Sequence, residues 1–141
     1  MRRGVIAALT ALAVGACAQA AEEAPLEGEA LAARGDYLVN GVVLCGDCHT
    51  PRGPAGELDR ARELLGADIG AGPPGFANIA PALAGRPADY TQEQFIAFLQ
   101  TGVRPNGSHA RPPMPPYRLN EQDARAVDAY VASLPAAAPS Q

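Results

Sequence analysis

Cys45-Gly46-Asp47-Cys48-His49 is the stretch on which the reading of this chain turns. Two thiols three residues apart, with a histidine directly after the second, form the attachment pattern of a c-type haem. The spacing has a chemical reason. Each thiol can add across one haem vinyl group, and the two thioethers then fix the porphyrin against the backbone. The adjacent histidine can bring a ring nitrogen to the iron as proximal axial ligand. Between the thiols the chain must turn tightly, and Gly46-Asp47 permits that.

Other chemistries of a Cys-x-x-Cys pair need different surroundings. A thioredoxin-like redox pair expects a preceding strand and a βαβ pattern, and neither is read here. A structural zinc site needs two further Cys or His ligands. The remaining candidates are Cys17, in a leader-like stretch, and the lone His109.

Cys45–His49 is followed far downstream by Pro113-Met114-Pro115 and an amphipathic segment containing Asp128-Ala129-Tyr130. Together these resemble a class I c-type cytochrome. More narrowly, Gly35-Asp36-Tyr37-Leu38-Val39, Cys48-His49-Thr50-Pro51-Arg52 and Gly56-Glu57-Leu58-Asp59 resemble the small cytochrome c domains that accompany periplasmic dehydrogenases. The resemblance covers residues 30 to 135 or so. It implies an all-α class I fold, a few short helices and loops wrapped around one covalently attached haem.

The chain of 141 residues is long enough for one domain. Aromatics make up 5% and tryptophan is absent, so the polypeptide core is thin in large apolar groups. A covalently held haem would supply much of that volume. Met1-Arg2-Arg3 and the apolar run from Gly4 to Val14 read as the start of an export leader over 1–20. The run is too short to span a bilayer, which takes about 20 apolar residues. Cleavage after Ala20 fits Ala18-Gln19-Ala20; Val14-Gly15-Ala16-Cys17 instead resembles a bacterial lipobox, with a lipid on Cys17. Both place the domain outside the cytoplasm, in a bacterial periplasm.

Residues 21–30 are rich in Ala, Glu, Pro and Gly and read as a flexible acidic linker. The formal charge is −4, and removing Arg2 and Arg3 with a leader leaves nine basic residues against 15 acidic, or −6. There is no lysine. The acidic balance and export disfavour nucleic acid and suit a partner with a basic docking face.

Leu31, Gly35 and Leu38 share one face of a first helix expected over Leu31 to Asn40. The resemblance gives Gly35 a reason: a last helix crosses there at close range, at the Tyr130 face. Tyr37 reads as core packing. After His49, Arg52 is a candidate for a haem propionate or a solvated surface residue. Leu58, Ala61, Leu64 and Leu65 suggest a short helix between Gly56 and Gly66.

Pro81-Ala82-Leu83-Ala84-Gly85 fits the Pro-x-Leu-x-Gly stretch whose proline carbonyl, in many class I cytochromes, accepts the proximal ring N–H. The narrower family instead aligns Asn78-Ile79-Ala80-Pro81 with its Asn-Ile-Thr-Pro run, giving Pro81 another place. Thr91-Gln92-Glu93-Gln94 is a capping box opening a helix with Phe95, Phe98 and Leu99 on one face, ending at Gly102. Met114, the only methionine besides Met1, sits among Pro112, Pro113, Pro115 and Pro116, which stiffen the chain. It is the candidate distal ligand, with His109 as competitor. Asn120 can cap a final helix from Glu121 to Leu134, stopped by Pro135. Residues 136–141 read as a disordered tail.

The expectation is one haem c, bound through Cys45 and Cys48, with iron ligated by His49 and Met114. Arg52 and Pro81 are further cofactor-binding candidates. With both axial positions filled, the function is one-electron transfer rather than catalysis, from a periplasmic donor such as a dehydrogenase to a respiratory acceptor. The alternative is a haem-based ligand sensor or catalytic haem protein with a labile distal ligand.

Overall fold

The computed structural model describes residues 24–136. The leader read over 1–20, the start of the linker and the tail beyond Ala136 lie outside them. Four helices carry the fold: α1 (Gly28–Tyr37), α2 (Gly46–His49), α3 (Gln92–Thr101) and α4 (Glu121–Ser133). To these is added a two-stranded antiparallel pair, β1 (Ala67–Asp68) and β2 (Ile79–Ala80), which the all-α expectation did not include. Among the described residues no helix is long and apolar enough to cross a membrane.

The first and last helices cross as the small residue at 35 suggested. A Cβ built on Gly35 would lie 2.7 Å from the Tyr130 Cβ and would overlap the Ala126 carbonyl. Only glycine lets the two backbones come so near. The crossing is tied at its rim by Arg34, whose Nε stands 2.9 Å from an Asp123 carboxylate oxygen. It is also tied by Tyr130, whose hydroxyl donates to Glu63 at 2.9 Å and accepts from Asn40 at 3.1 Å.

α1 begins at Gly28, so residues 28–30, expected in the linker, are helical; Glu29 there suits the positive end of the helix dipole. The regular helix stops at Tyr37 and widens into a π-turn over Leu38–Val42, with Val43 N–H donating to the Leu38 carbonyl at 2.7 Å. Tyr37 is not core: it is 59% exposed, with the Arg34 guanidinium 5.5 Å from its ring centroid. The widened turn moves the inward face to Leu38 and Val39, both buried.

α3 and α4 start where their caps predict. Thr91 and Gln94 close a reciprocal capping box, and Gly102 ends α3 in the left-handed region at φ 72°. Asn120 accepts from the Asp123 N–H at 2.8 Å. The expected helix between Gly56 and Gly66 is only a single 3₁₀ turn, Arg60–Arg62, capped by Asp59. Tertiary bonds override the apolar spacing. Leu64 takes φ 55°, which no helix allows, because its N–H donates to the buried Thr50 hydroxyl and its carbonyl accepts from Leu83 and Ala84.

The core gathers Leu38, Val39, Leu64, Phe95, Leu99, Val127 and Val131, with Cys45 at its edge. Burying each large side chain is worth about 1.5–3 kcal/mol. One carboxylate, Asp128, is buried with them. It accepts two hydrogen bonds from the Arg86 guanidinium and a third from Gln92 at 2.8 Å, the compensation that a buried charge requires.

Candidate functional site

The Cys45 to His49 segment is one helical turn. His49 N–H donates to the Cys45 carbonyl at 2.9 Å, so Cys45, Cys48 and His49 stand at positions i, i+3 and i+4 of a single face. The turn is aimed from both sides. Ahead of it Leu44 adopts φ 56°, and Cys45 N–H donates to the Val39 carbonyl inside the π-turn at 3.1 Å. Behind it the His49 carbonyl accepts from Gly66 N–H at 2.8 Å.

The His49 ring is buried, and its Nδ1 lies 2.7 Å from the Pro81 carbonyl oxygen. A carbonyl only accepts, so Nδ1 carries the proton and Nε2 keeps its lone pair free. This is the contact of the Pro-x-Leu-x-Gly alignment, and it answers which place Pro81 takes. Burial pushes the imidazole below its ordinary pKa, opposed by the bond to Pro81. The neutral ring is the form that binds a metal.

Both thiols are free. Burial pushes Cys45 up to about 11, so it stays protonated at neutral pH.

Cys48, His49, Pro81 and Met114 line one cavity of about 480 Å³, within the range of cofactor sites. Its walls are mostly apolar, with Ile79, Leu83, Phe95, Phe98 and Pro113 among them. Tyr90 packs edge-on to Phe95, ring centroids 5.9 Å apart, and completes an aromatic side. Cys45 is not on the wall; it is buried in the adjoining core. A second hollow of about 360 Å³ shares Cys48, Ile69, Ala77 and Pro113 with the first. One thiol (Cys48), an imidazole and a thioether on the wall, with the second thiol (Cys45) one helical turn away in the adjoining core, make a donor set that suits a flat, largely apolar group bearing two vinyls. Among the described residues, no three His, Cys, Asp or Glu side chains come together as a metal-binding group.

The other candidates fall elsewhere. Arg52 lines the second hollow, and its guanidinium donates to the carbonyls of Gly56 at 2.8 Å and Asp47 at 3.1 Å. His109 is exposed, off the cavity, with Nδ1 3.0 Å from the Gly102 carbonyl. Met114 sits in the 103–116 loop, which is closed by a bridge between Val103 and His109 and tied through the Pro112 carbonyl to Ala77 N–H at 2.6 Å. Sequence reasoning did not single out Tyr90, Arg104 and Arg111, which also line the main cavity. The available signal was position: Arg104 and Arg111 share the proline-rich loop of Met114.

A family model described as cytochrome c matches residues 28–135. The chain belongs to the cytochrome c family, whose members bind haem c covalently and transfer electrons. It is 34% identical over 108 residues to a diheme cytochrome c-type protein of Cereibacter sphaeroides, covering 73% of this chain and 35% of that one. It is 31% identical over 112 residues to the fructose dehydrogenase cytochrome subunit of Gluconobacter japonicus, covering 76% of this chain and 23% of the relative. With the cytochrome c subunit of alcohol dehydrogenase (quinone) of Gluconacetobacter polyoxogenes it shares 33% over 119 residues, or 77% and 25% of the two chains. The chain thus spans only 23% to 35% of the length of these relatives, and it contains one Cys-x-x-Cys-His motif.

Proposed function

We propose that this chain carries single electrons on one haem c, held by thioethers from Cys45 and Cys48 and ligated by His49 and Met114. The observation that supports this most is the pair His49 and Met114 on the wall of one largely apolar cavity, with His49 Nδ1 committed to Pro81. Bound there, haem c supplies a one-electron ferric/ferrous couple.

The side chains set the terms of that couple. The Pro81 carbonyl fixes the imidazole tautomer and makes Nε2 the better donor. The Met114 thioether favours the ferrous state and raises the potential relative to two imidazoles. Phe95, Phe98 and Leu83 keep water from the iron, which pushes the same way. Arg52 braces the Cys-x-x-Cys turn through the Asp47 carbonyl. With His49 and Met114 both ligating the iron there would be no open position for a substrate, which supports reading the chain as a carrier and not an enzyme.

Export by the 1–20 leader, ending either after Ala20 or at a lipid-bearing Cys17, puts the carrier in the periplasm. Two relatives are cytochrome subunits of a fructose and an alcohol dehydrogenase. By analogy the electron donor is a periplasmic dehydrogenase and the acceptor a respiratory one.

The test is the absorption spectrum of the matured, oxidised protein, scanned into the far red for the sulfur-to-iron charge-transfer band, beside that of Met114→Ala. The parent is expected to show the band. The variant is expected to keep its haem, lose the band and turn high-spin or ligand-accepting. A parent without the band, or a variant with an unchanged spectrum, removes Met114 from the iron and returns the sensor or catalytic reading.

A further inference from the structure

The described arginines divide into two sets. Arg34, Arg52, Arg60, Arg62 and Arg86 each hold a carboxylate, a carbonyl or a side-chain amide. Arg104, Arg111, Arg118 and Arg125 make no side-chain hydrogen bond or ion pair among the described residues. Of these, Arg104 and Arg111 line the main cavity. They are joined there by Tyr90, whose hydroxyl has no hydrogen-bond partner among the described residues and whose ring is packed against Phe95 and Phe98.

The arrangement is unusual for so apolar a cavity. Arg104 is half-buried, and it is near enough to Tyr90 to offset part of the rise that burial imposes on the phenol. Asp89, the one carboxylate on the wall, stands beside them and pairs with neither arginine. The Arg104 guanidinium is not sealed in the core, since no buried side-chain nitrogen or oxygen among the described residues lacks a partner, and its donors are therefore open to an incoming group. It gains most when a carboxylate arrives, since two parallel N–H donors match two oxygens.

We infer that Arg104, with the Tyr90 hydroxyl beside it and Arg111 at the rim, is the anchor for a propionate carboxylate of the haem, in place of Arg52. The inference rests on the cavity being the haem site. Arg52 is ill suited to the part because its donors already serve two backbone carbonyls. Arg104 is a positioning residue: it holds the edge of the macrocycle from the same loop that presents Met114. A guanidinium close to the macrocycle also disfavours the extra positive charge of the ferric state, so it raises the potential.

The test compares matured parent, Arg104→Gln, Arg104→Lys, Tyr90→Phe and Arg52→Gln. Three readouts are taken: the propionate bending band in the resonance Raman spectrum, the midpoint potential, and the far-red band. Arg104→Gln is expected to shift the propionate band and lower the potential, with Arg104→Lys restoring part of both. Tyr90→Phe, which keeps the ring packing, is expected to shift the Raman band alone, and Arg52→Gln to shift neither. An unmoved propionate band in both Arg104→Gln and Tyr90→Phe overturns the assignment, as does a shift confined to Arg52→Gln. The far-red band separates the two questions. Its loss in the parent counts against Met114 ligation, whereas its presence with an unmoved Raman band counts against Arg104 alone.

Discussion

Burial alone would leave the His49 ring free to place its proton on either nitrogen; the Pro81 carbonyl, which can only accept, removes that freedom. Burial then determines how the ring titrates. Its pKa is held below the ordinary 6.5, so the proton arrives only at more acid pH. The unfolded chain takes up the proton first, and stability therefore falls as pH drops below 6.5. In the matured protein the proposed iron ligation would occupy the nitrogen that takes this proton, so the low-spin spectrum is expected to persist as pH falls through 6.5. A spectral transition centred at 6.5 would count against His49 as an iron ligand. At this scale the sequence was informative wherever chemistry is local. Cys45, Cys48 and His49 are read from spacing, and Met114 from being the one internal methionine. Arg104 was not legible, because no periodic pattern says which way a loop arginine turns.

Helix boundaries follow the same division. The starts of α3 and α4 are written in Thr91, Gln94 and Asn120, side chains that satisfy the orphan N–H groups of their own first turns. The segment from Gly56 to Gly66 carries helical spacing and still folds otherwise, because Thr50 and the 83–84 backbone claim the polar groups of Leu64. Those partners are distant in sequence and invisible to a local reading. The helix crossing offers a test in which two magnitudes oppose. Alanine is better than glycine in a helix by about 1 kcal/mol, but a Cβ at position 35 would press into the Ala126 carbonyl and Tyr130. Overpacking of this kind costs about 1–3 kcal/mol, and more where backbone must move. Gly35→Ala should therefore lower the denaturant midpoint of the matured protein; a raised midpoint would mean that α1 and α4 are less closely apposed.

For the whole molecule, 15 acidic residues, 11 arginines and no lysine define an acidic surface whose positive groups are all planar guanidiniums. Exposed charges separated by more than about 8 Å are screened at physiological salt. Electron exchange with a positively charged reagent should accordingly slow as salt is raised, and exchange with a negatively charged one should quicken. Identical salt dependence for the two would mean that the exchanging face is neutral. One further property follows from the short hairpin around β1 and β2. At its base Gly66 holds the His49 carbonyl and Pro81 holds the His49 ring, while in its connecting segment Ala77 holds the carbonyl of Pro112, two residues before Met114. A single hairpin thus holds one proposed iron ligand, His49, directly and ties down the loop that carries the other, Met114. The barrier to outer-sphere electron exchange grows with the atomic rearrangement between the two oxidation states, and preorganised groups have little left to rearrange. In the proposed carrier the hairpin would act as a caliper, fixing the span between imidazole and thioether and so keeping the reorganisation energy small.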